Sequence, residues 1–98
     1  MTRRATLRLE AELELLNAAE RHEAARPGYG ARFLDEFDSL VENIERDPLT
    51  FPEVEGTVRR ALFRRFRYAV YFRVVDDNEI DVLAVVHQHQ QEGGWRTR

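Results

Sequence analysis

The sequence predicts an α+β fold: a helical hairpin packed on a twisted, mostly antiparallel four-stranded sheet, in the order β-α-α-β-β-β. Three observations predict it. Two segments, 10–26 and 30–47, carry apolar residues at helical spacing and are separated by Pro27-Gly28. Three runs, 58–63, 68–75 and 79–86, are rich in β-branched and aromatic residues, with the polar turn Asp76-Asp77-Asn78 between the last two. Finally, 98 residues are enough for one core but too few for two, so 1–98 is a single domain.

Residues 5–9 alternate, with Ala5, Leu7 and Leu9 on one face, which predicts a short first strand. From Glu10 the period changes. Ala11, Leu15, Ala18, Ala19, His22 and Ala25 fall on one face of a helix. Glu10, Glu12 and Glu14 crowd its first turns, where negative charge suits the dipole. They do not share a face, so they form no carboxylate dyad. In the second helix Phe33, Phe37, Leu40, Val41 and Ile44 make the apolar stripe and Leu34 widens it. Asp47-Pro48 ends that helix, because the residue before a proline avoids helical geometry.

The short break between the helices predicts an antiparallel hairpin. Residues 49–57, with Pro52 and Gly56 and Pro48 just before, read as a loop that Phe51 plugs onto the core. In the run 68–75, Tyr68, Val70, Phe72 and Val74 share one face and Ala69, Tyr71, Arg73 and Val75 the other. Both faces are largely apolar. That strand is therefore central, with one face under the helices and the other partly covered. The remaining tail, 87–98, is polar and glycine-broken, with one Trp.

Composition narrows the function classes. The absence of Cys excludes disulfides, thiolate zinc sites and a Cys nucleophile. No apolar stretch approaches the roughly 20 residues that span a bilayer. The first residues contain no continuous apolar segment with a cleavage site, which predicts a cytoplasmic location. Charge is divided unevenly: residues 1–56 hold 7 Arg against 13 Asp+Glu, and residues 57–98 hold 8 Arg against 5. Every basic residue is Arg, which GC-rich coding explains simply, yet each guanidinium still offers a planar fork for phosphate or carboxylate. Arg59, Arg60, Arg64, Arg65, Arg67 and Arg73 all fall in the sheet region, predicting a docking face for something negative. Alternation sets Arg59 and Arg65 on one face and Arg60 and Arg64 on the other, so they do not all serve one site.

The ordered set P-x-x-F-P (48–52), V-R-R (58–60), F-x-Y-x-V-Y (66–71) and A-V-x-H (84–87), with a Trp eight residues later, resembles the RelE/ParE superfamily of bacterial toxins. The likeness is strongest to its ParE-like, plasmid-stabilisation branch and runs from residue 11 to 95. No single motif is specific; their order is. The resemblance implies the toxin of a type II toxin–antitoxin module, held in a hetero-oligomer by a cognate antitoxin whose C-terminal segment lies across it, with no cofactor and no membrane. It leaves the target open. ParE-like members are described as poisons of DNA gyrase, RelE-like members as ribosome-dependent, metal-independent mRNA endonucleases, and an inactive member binds only its antitoxin.

Each reading names its residues. For antitoxin binding, Phe63, Tyr71 and Phe72 are the expected apolar anchors, Arg60, Arg64 and Arg73 the partners of antitoxin carboxylates, and Trp95 part of the same surface. For RNA cleavage the candidates are Arg59, Arg65, His87 and His89. That reaction needs an activated 2′-oxygen, a stabilised phosphorane and a protonated leaving oxygen. The resemblance places an arginine of the RNA-cutting branch at Ala69, and a basic tail where 88–91 reads Gln-His-Gln-Gln. Losing a group that stabilises transition-state charge costs about 10²–10³ in rate, so the residues point first to partner recognition. His87 and His89 could also act as two metal ligands, and the plainer reading of His87 is a strand-end cap that bonds neighbouring backbone. No third ligand is at hand, and no metal site is predicted. Trp95 is expected to pack back onto the sheet.

Overall fold

Two helices form where the apolar stripes lie, α1 (Leu9–Ala25) and α2 (Tyr29–Arg46). The computed structural model describes residues 3–88, 95 and 98. Gly28 makes the reversal between the helices at φ +90°, where a Cβ is disfavoured. Glu23 fastens the turn by accepting the N–H groups of Gly28 and Gly30, each at 3.0 Å. The helices approach closely because Gly30 has no side chain: a Cβ there would meet the carbonyl oxygen of Ala19 at 2.8 Å.

The sheet has five strands: β1 (Arg4–Leu7), β2 (Glu53–Glu55), β3 (Val58–Leu62), β4 (Tyr68–Val74) and β5 (Glu79–His87). Their order is β1-β5-β4-β3-β2, with β1 parallel to β5 and the other pairs antiparallel. The α+β class and the central β4 follow the expectation; the strand count does not. The expected loop at 49–57 contains β2, preceded by a 3₁₀ turn at Pro48–Thr50. All three residues of β2 are exposed, so no apolar alternation marks it. The first strand also stops early. Leu9 opens α1 and is 67% exposed instead of sharing a face with Ala5 and Leu7.

The helix-side core is built on Phe33 and Ile44 from α2 and on Val70, Phe72, Ile80, Val82 and Val85 from the sheet, all essentially inaccessible. Phe51 closes one end by meeting Phe72 edge-to-face, with ring centroids 5.7 Å apart. A bulge splits the faces of β5. Tyr71 pairs with Ala84 but Phe72 with Val82, leaving Leu83 as an extra residue. Leu83 and Ala84 consequently both reach the second face, where they cluster with Ala69, Tyr71 and Trp95. Trp95 stacks on Tyr71 at 4.7 Å and 15°, so the indole does pack back onto the sheet.

β1 covers β5 only as far as Val82, and side chains finish the edge. Arg98 donates to the Leu83 carbonyl (2.9 Å), while Glu14 accepts the Val85 N–H (3.1 Å) and binds Arg98 through both oxygens (2.8 and 3.0 Å). This ion pair supplies the donor and acceptor that a neighbouring strand would supply. Its hydrogen bonds hold the Arg98 guanidinium above its ordinary pKa, as those of Asp81 do for Arg8.

Candidate functional site

A groove of about 650 Å³ lies between α2 and the connection 63–67 that joins β3 to β4. Its helical wall runs from Tyr29 and Arg32 through Glu36 to Leu40 and Asn43, and its other wall is Leu62, Arg64, Arg65 and Phe66. The connection is held in place by Glu36, whose carboxylate accepts the N–H groups of Arg64 and of Arg65 (3.2 Å). That bond uses the backbone and leaves the guanidiniums outward. Neither Arg64 nor Arg65 makes an ion pair among the described residues. Tyr29 sits between two more cations, with Arg26 4.7 Å and Arg32 5.1 Å from its ring centroid.

The groove ends at a strand edge. β2 pairs with β3 only to Arg59, and the Arg60 N–H is taken by the Pro52 carbonyl at 3.1 Å. Phe63 donates to Tyr68, so in the alternating ladder the backbone of Leu62 faces away from β4, beyond the reach of β2. Leu62 is 47% exposed. It also borders a smaller hollow of about 190 Å³ on the second sheet face, formed with Arg60, Ala69, Tyr71 and Gln88. Arg60 has no ion pair among the described residues either. An extended chain crossing the β3 edge at Leu62 can therefore lie in the groove and continue onto the Arg60–Tyr71 face.

The residues expected to bind a partner are divided by this geometry. Arg60, Arg64 and Tyr71 border the groove or the hollow, and Trp95 backs Tyr71. Arg73 is on the second face but is joined to Asp81 at 3.4 Å, which also binds Arg8 at 2.9 Å. Phe63 and Phe72 are corrected. Both point to the helix side, where Phe63 stacks on Phe33 at 4.7 Å and Phe72 is fully buried, so neither is presented to a partner. Arg64 and Arg65 also leave the alternation expected of them, because they lie in the connection and not on β3.

Of the four residues proposed for RNA cleavage, the three that are described, Arg59, Arg65 and His87, are not brought together. Arg59 serves the fold: it donates to the carbonyls of Phe51 (2.6 Å) and Leu49 (3.4 Å) and pairs with Glu53 at 3.6 Å. His87 lies against Tyr68, 5.4 Å between ring centroids, and Arg65 is beside α2. Arg59 pairs with Phe72 and His87 with Tyr68, which separates them by about 13 Å along β4. His89 lies outside the described residues. Among the described residues no group of three or more His, Cys, Asp or Glu is gathered for a metal ion, and no helix is long and apolar enough to cross a membrane.

Sequence reasoning missed Arg32, Tyr29 and Phe66 as groove residues. The available signal was Tyr29-x-x-Arg32, one helical turn apart on the polar side of α2. His22 was placed on the right face but not in its setting. Its ring stacks on Phe33 (4.8 Å) and meets Phe66 and Tyr68 edge-on, so Phe66 at the groove rests on an aromatic floor.

Similarity to known proteins accords with this architecture. A solved chain from a chromosomal ParDE TA system of P. aeruginosa superposes with a TM-score of 0.75 at 16% identity, covering 88% of this chain and 96% of that one. At that identity the likeness speaks to the fold. No curated protein matches the sequence. The family model for the ParE toxin of the type II toxin–antitoxin system parDE matches residues 4–92, nearly the whole length, and this chain therefore belongs to the ParE toxin family.

Proposed function

We propose that the chain is neutralised by an acidic antitoxin segment laid along the α2 groove and over the β3 edge, and that the free toxin poisons DNA gyrase. The observation that carries the first part is the set Arg60, Arg64 and Arg65. These three guanidiniums line a continuous path and have no carboxylate partner among the described residues. Leaving them unpaired invites an anionic partner, and Leu40, Leu62, Phe66 and Tyr71 along the same path offer apolar contact. Burial of those apolar groups supplies affinity; the charges supply orientation and association rate.

The gyrase target follows the family rather than any residue on this surface. Its support is the family membership together with the dispersal of Arg59, Arg65 and His87, which leaves no convergent group of RNA-cleaving residues among those described. Inducible expression with and without the product of the adjacent reading frame tests both parts. The expected result is growth arrest relieved by co-expression, and loss of supercoiling by purified gyrase in the presence of the toxin. Cleaved mRNA in a cell-free translation extract would support the ribonuclease instead. A folded chain that does not affect growth would support an inactive antitoxin-binding member.

A further inference from the structure

α1 carries an apolar row that neither core uses. Leu9, Leu13 and Leu16 follow at i, i+4 and i+7 and stay 67%, 51% and 47% exposed. That spacing aligns them in one stripe. Ala11, Leu15, Ala18 and Ala19 are the buried residues of the same helix. At about 100° per residue the leucine stripe lies on the opposite side from them. Solvated helix faces are ordinarily polar, whereas a contiguous apolar row rimmed by charge marks an interaction surface.

The rim has one sign. Glu12 and Glu20 lie on the same half of α1 as the leucines, are exposed, and make no ion pair among the described residues. Glu23 follows on that side. The basic residues of α1 turn away: Arg21 donates to the Tyr68 hydroxyl at 2.7 Å, and His22 stacks on Phe33. Glu10 faces Arg8 and Arg98 on another flank. The groove beside α2 is basic on balance: it exposes Arg32, Arg64 and Arg65 against Asp35, while the Glu36 carboxylate is taken up by the backbone N–H groups of Arg64 and Arg65. An acidic segment suited to the groove is repelled by Glu12 and Glu20, so the two surfaces fit partners of opposite charge.

We propose that the outer face of α1 is a second docking surface, one that takes a basic partner protein with an apolar seat for Leu9, Leu13 and Leu16. That partner is the toxin's target and not its antitoxin. The inference rests on reading the chain as a toxin with a protein target. The leucines provide the buried anchors and the glutamates steer the approach.

Two double variants test it. Leu13→Gln/Leu16→Gln removes the stripe while keeping good helix formers, and Glu12→Lys/Glu20→Lys reverses the rim. Circular dichroism reports the fold, and affinity for the product of the adjacent reading frame reports the groove. Purified gyrase is the binding probe, with growth arrest in cells as the second readout. The leucine variant is expected to bind gyrase about tenfold more weakly or worse and to relieve the arrest. Its antitoxin affinity is expected to stay within about twofold of wild type. The charge variant is expected to associate more slowly and to lose salt dependence.

Unchanged gyrase binding in both variants overturns the proposal. So does tighter binding after charge reversal, or loss of antitoxin affinity in the leucine variant, which would assign the face to the antitoxin. If wild-type toxin ignores gyrase yet arrests growth, only the gyrase target is refuted. The proposal is then supported by relief of arrest in the leucine variant and overturned by its persistence. A wild-type chain that leaves both gyrase and growth untouched refutes both readings.

Discussion

Removing Arg98 isolates the device that finishes the β5 edge. The side chain makes three charge-assisted hydrogen bonds, two to Glu14 and one to the Leu83 carbonyl, and is 16% exposed. At this partial exposure each such hydrogen bond contributes about 1 kcal/mol net. Against this, holding so long a side chain costs up to about 2 kcal/mol of rotamer entropy. Glu14, at 24% exposure, regains water once its partner is gone, and it keeps the Val85 N–H. The balance for Arg98→Ala is a loss of about 1–2 kcal/mol, or roughly 5–12 °C in Tm for a domain of this size.

Trp95 makes the same variant visible locally. It is the only Trp in the chain, it is 5% exposed, and it lies three residues before Arg98. Arg98→Ala is expected to shift its emission to the red with little change in far-UV circular dichroism, because the helices and sheet do not depend on that contact. Glu14→Gln keeps an acceptor for Val85 and is expected to have about half the effect. An Arg98→Ala protein with unchanged emission and an unchanged denaturation midpoint would refute the assignment of this pair as the anchor of Trp95 and cap of β5.

Other substitutions probe separate parts of the account. Gly30→Ala forces a Cβ against the Ala19 carbonyl at 2.8 Å and the Glu23 Cβ at 2.9 Å, so the hairpin should lose about 1–3 kcal/mol in urea denaturation. Ile44→Ala, at a fully buried position of α2, should cost about 2–5 kcal/mol by the same assay, reflecting the cavity it leaves. Arg59→Ala should lower stability by about 1–2 kcal/mol by freeing the Phe51 and Leu49 carbonyls, and should leave mRNA as intact as wild-type protein does in a translation extract. Cleavage by wild type that disappears in this variant would return Arg59 to a catalytic role.

Legibility in the sequence followed burial. Where one face of an element is covered, the period shows. The α2 stripe from Phe33 to Ile44 and the split of β4 into a Tyr68–Phe72 face and an Ala69–Tyr71 face are both where periodicity places them. β2 escaped because Glu53, Val54 and Glu55 are all exposed and irregular in register, so nothing selects an alternating pattern. The bulge at Leu83 escaped because an inserted residue looks, in a run of apolar residues, like any other.

The site was harder to read than the fold for two reasons. Assigning Arg64 and Arg65 to faces assumed that the alternation of β3 continues past its apolar stretch, but the chain leaves the sheet at Leu62 and Glu36 takes the N–H groups of Arg64 and Arg65. Phe63 and Phe72 were expected to be apolar anchors for a partner, yet two helices cover that face of the sheet and both rings pack beneath them. The outer row of α1 was hidden for a related reason: Leu9 reads as the end of the first strand, and Leu13 and Leu16 lie in a helix that has apolar residues on both sides.

The most direct test of antitoxin capture by the unpaired arginines is a calorimetric titration of this chain with the product of the adjacent reading frame, repeated with Arg64→Glu/Arg65→Glu. The account predicts a stable complex with the wild type. It predicts affinity reduced by about tenfold or more per reversed arginine, with a melting temperature close to wild type, since these guanidiniums make no ion pair among the described residues. Equal affinity for both proteins, or no complex with the wild type, would contradict it.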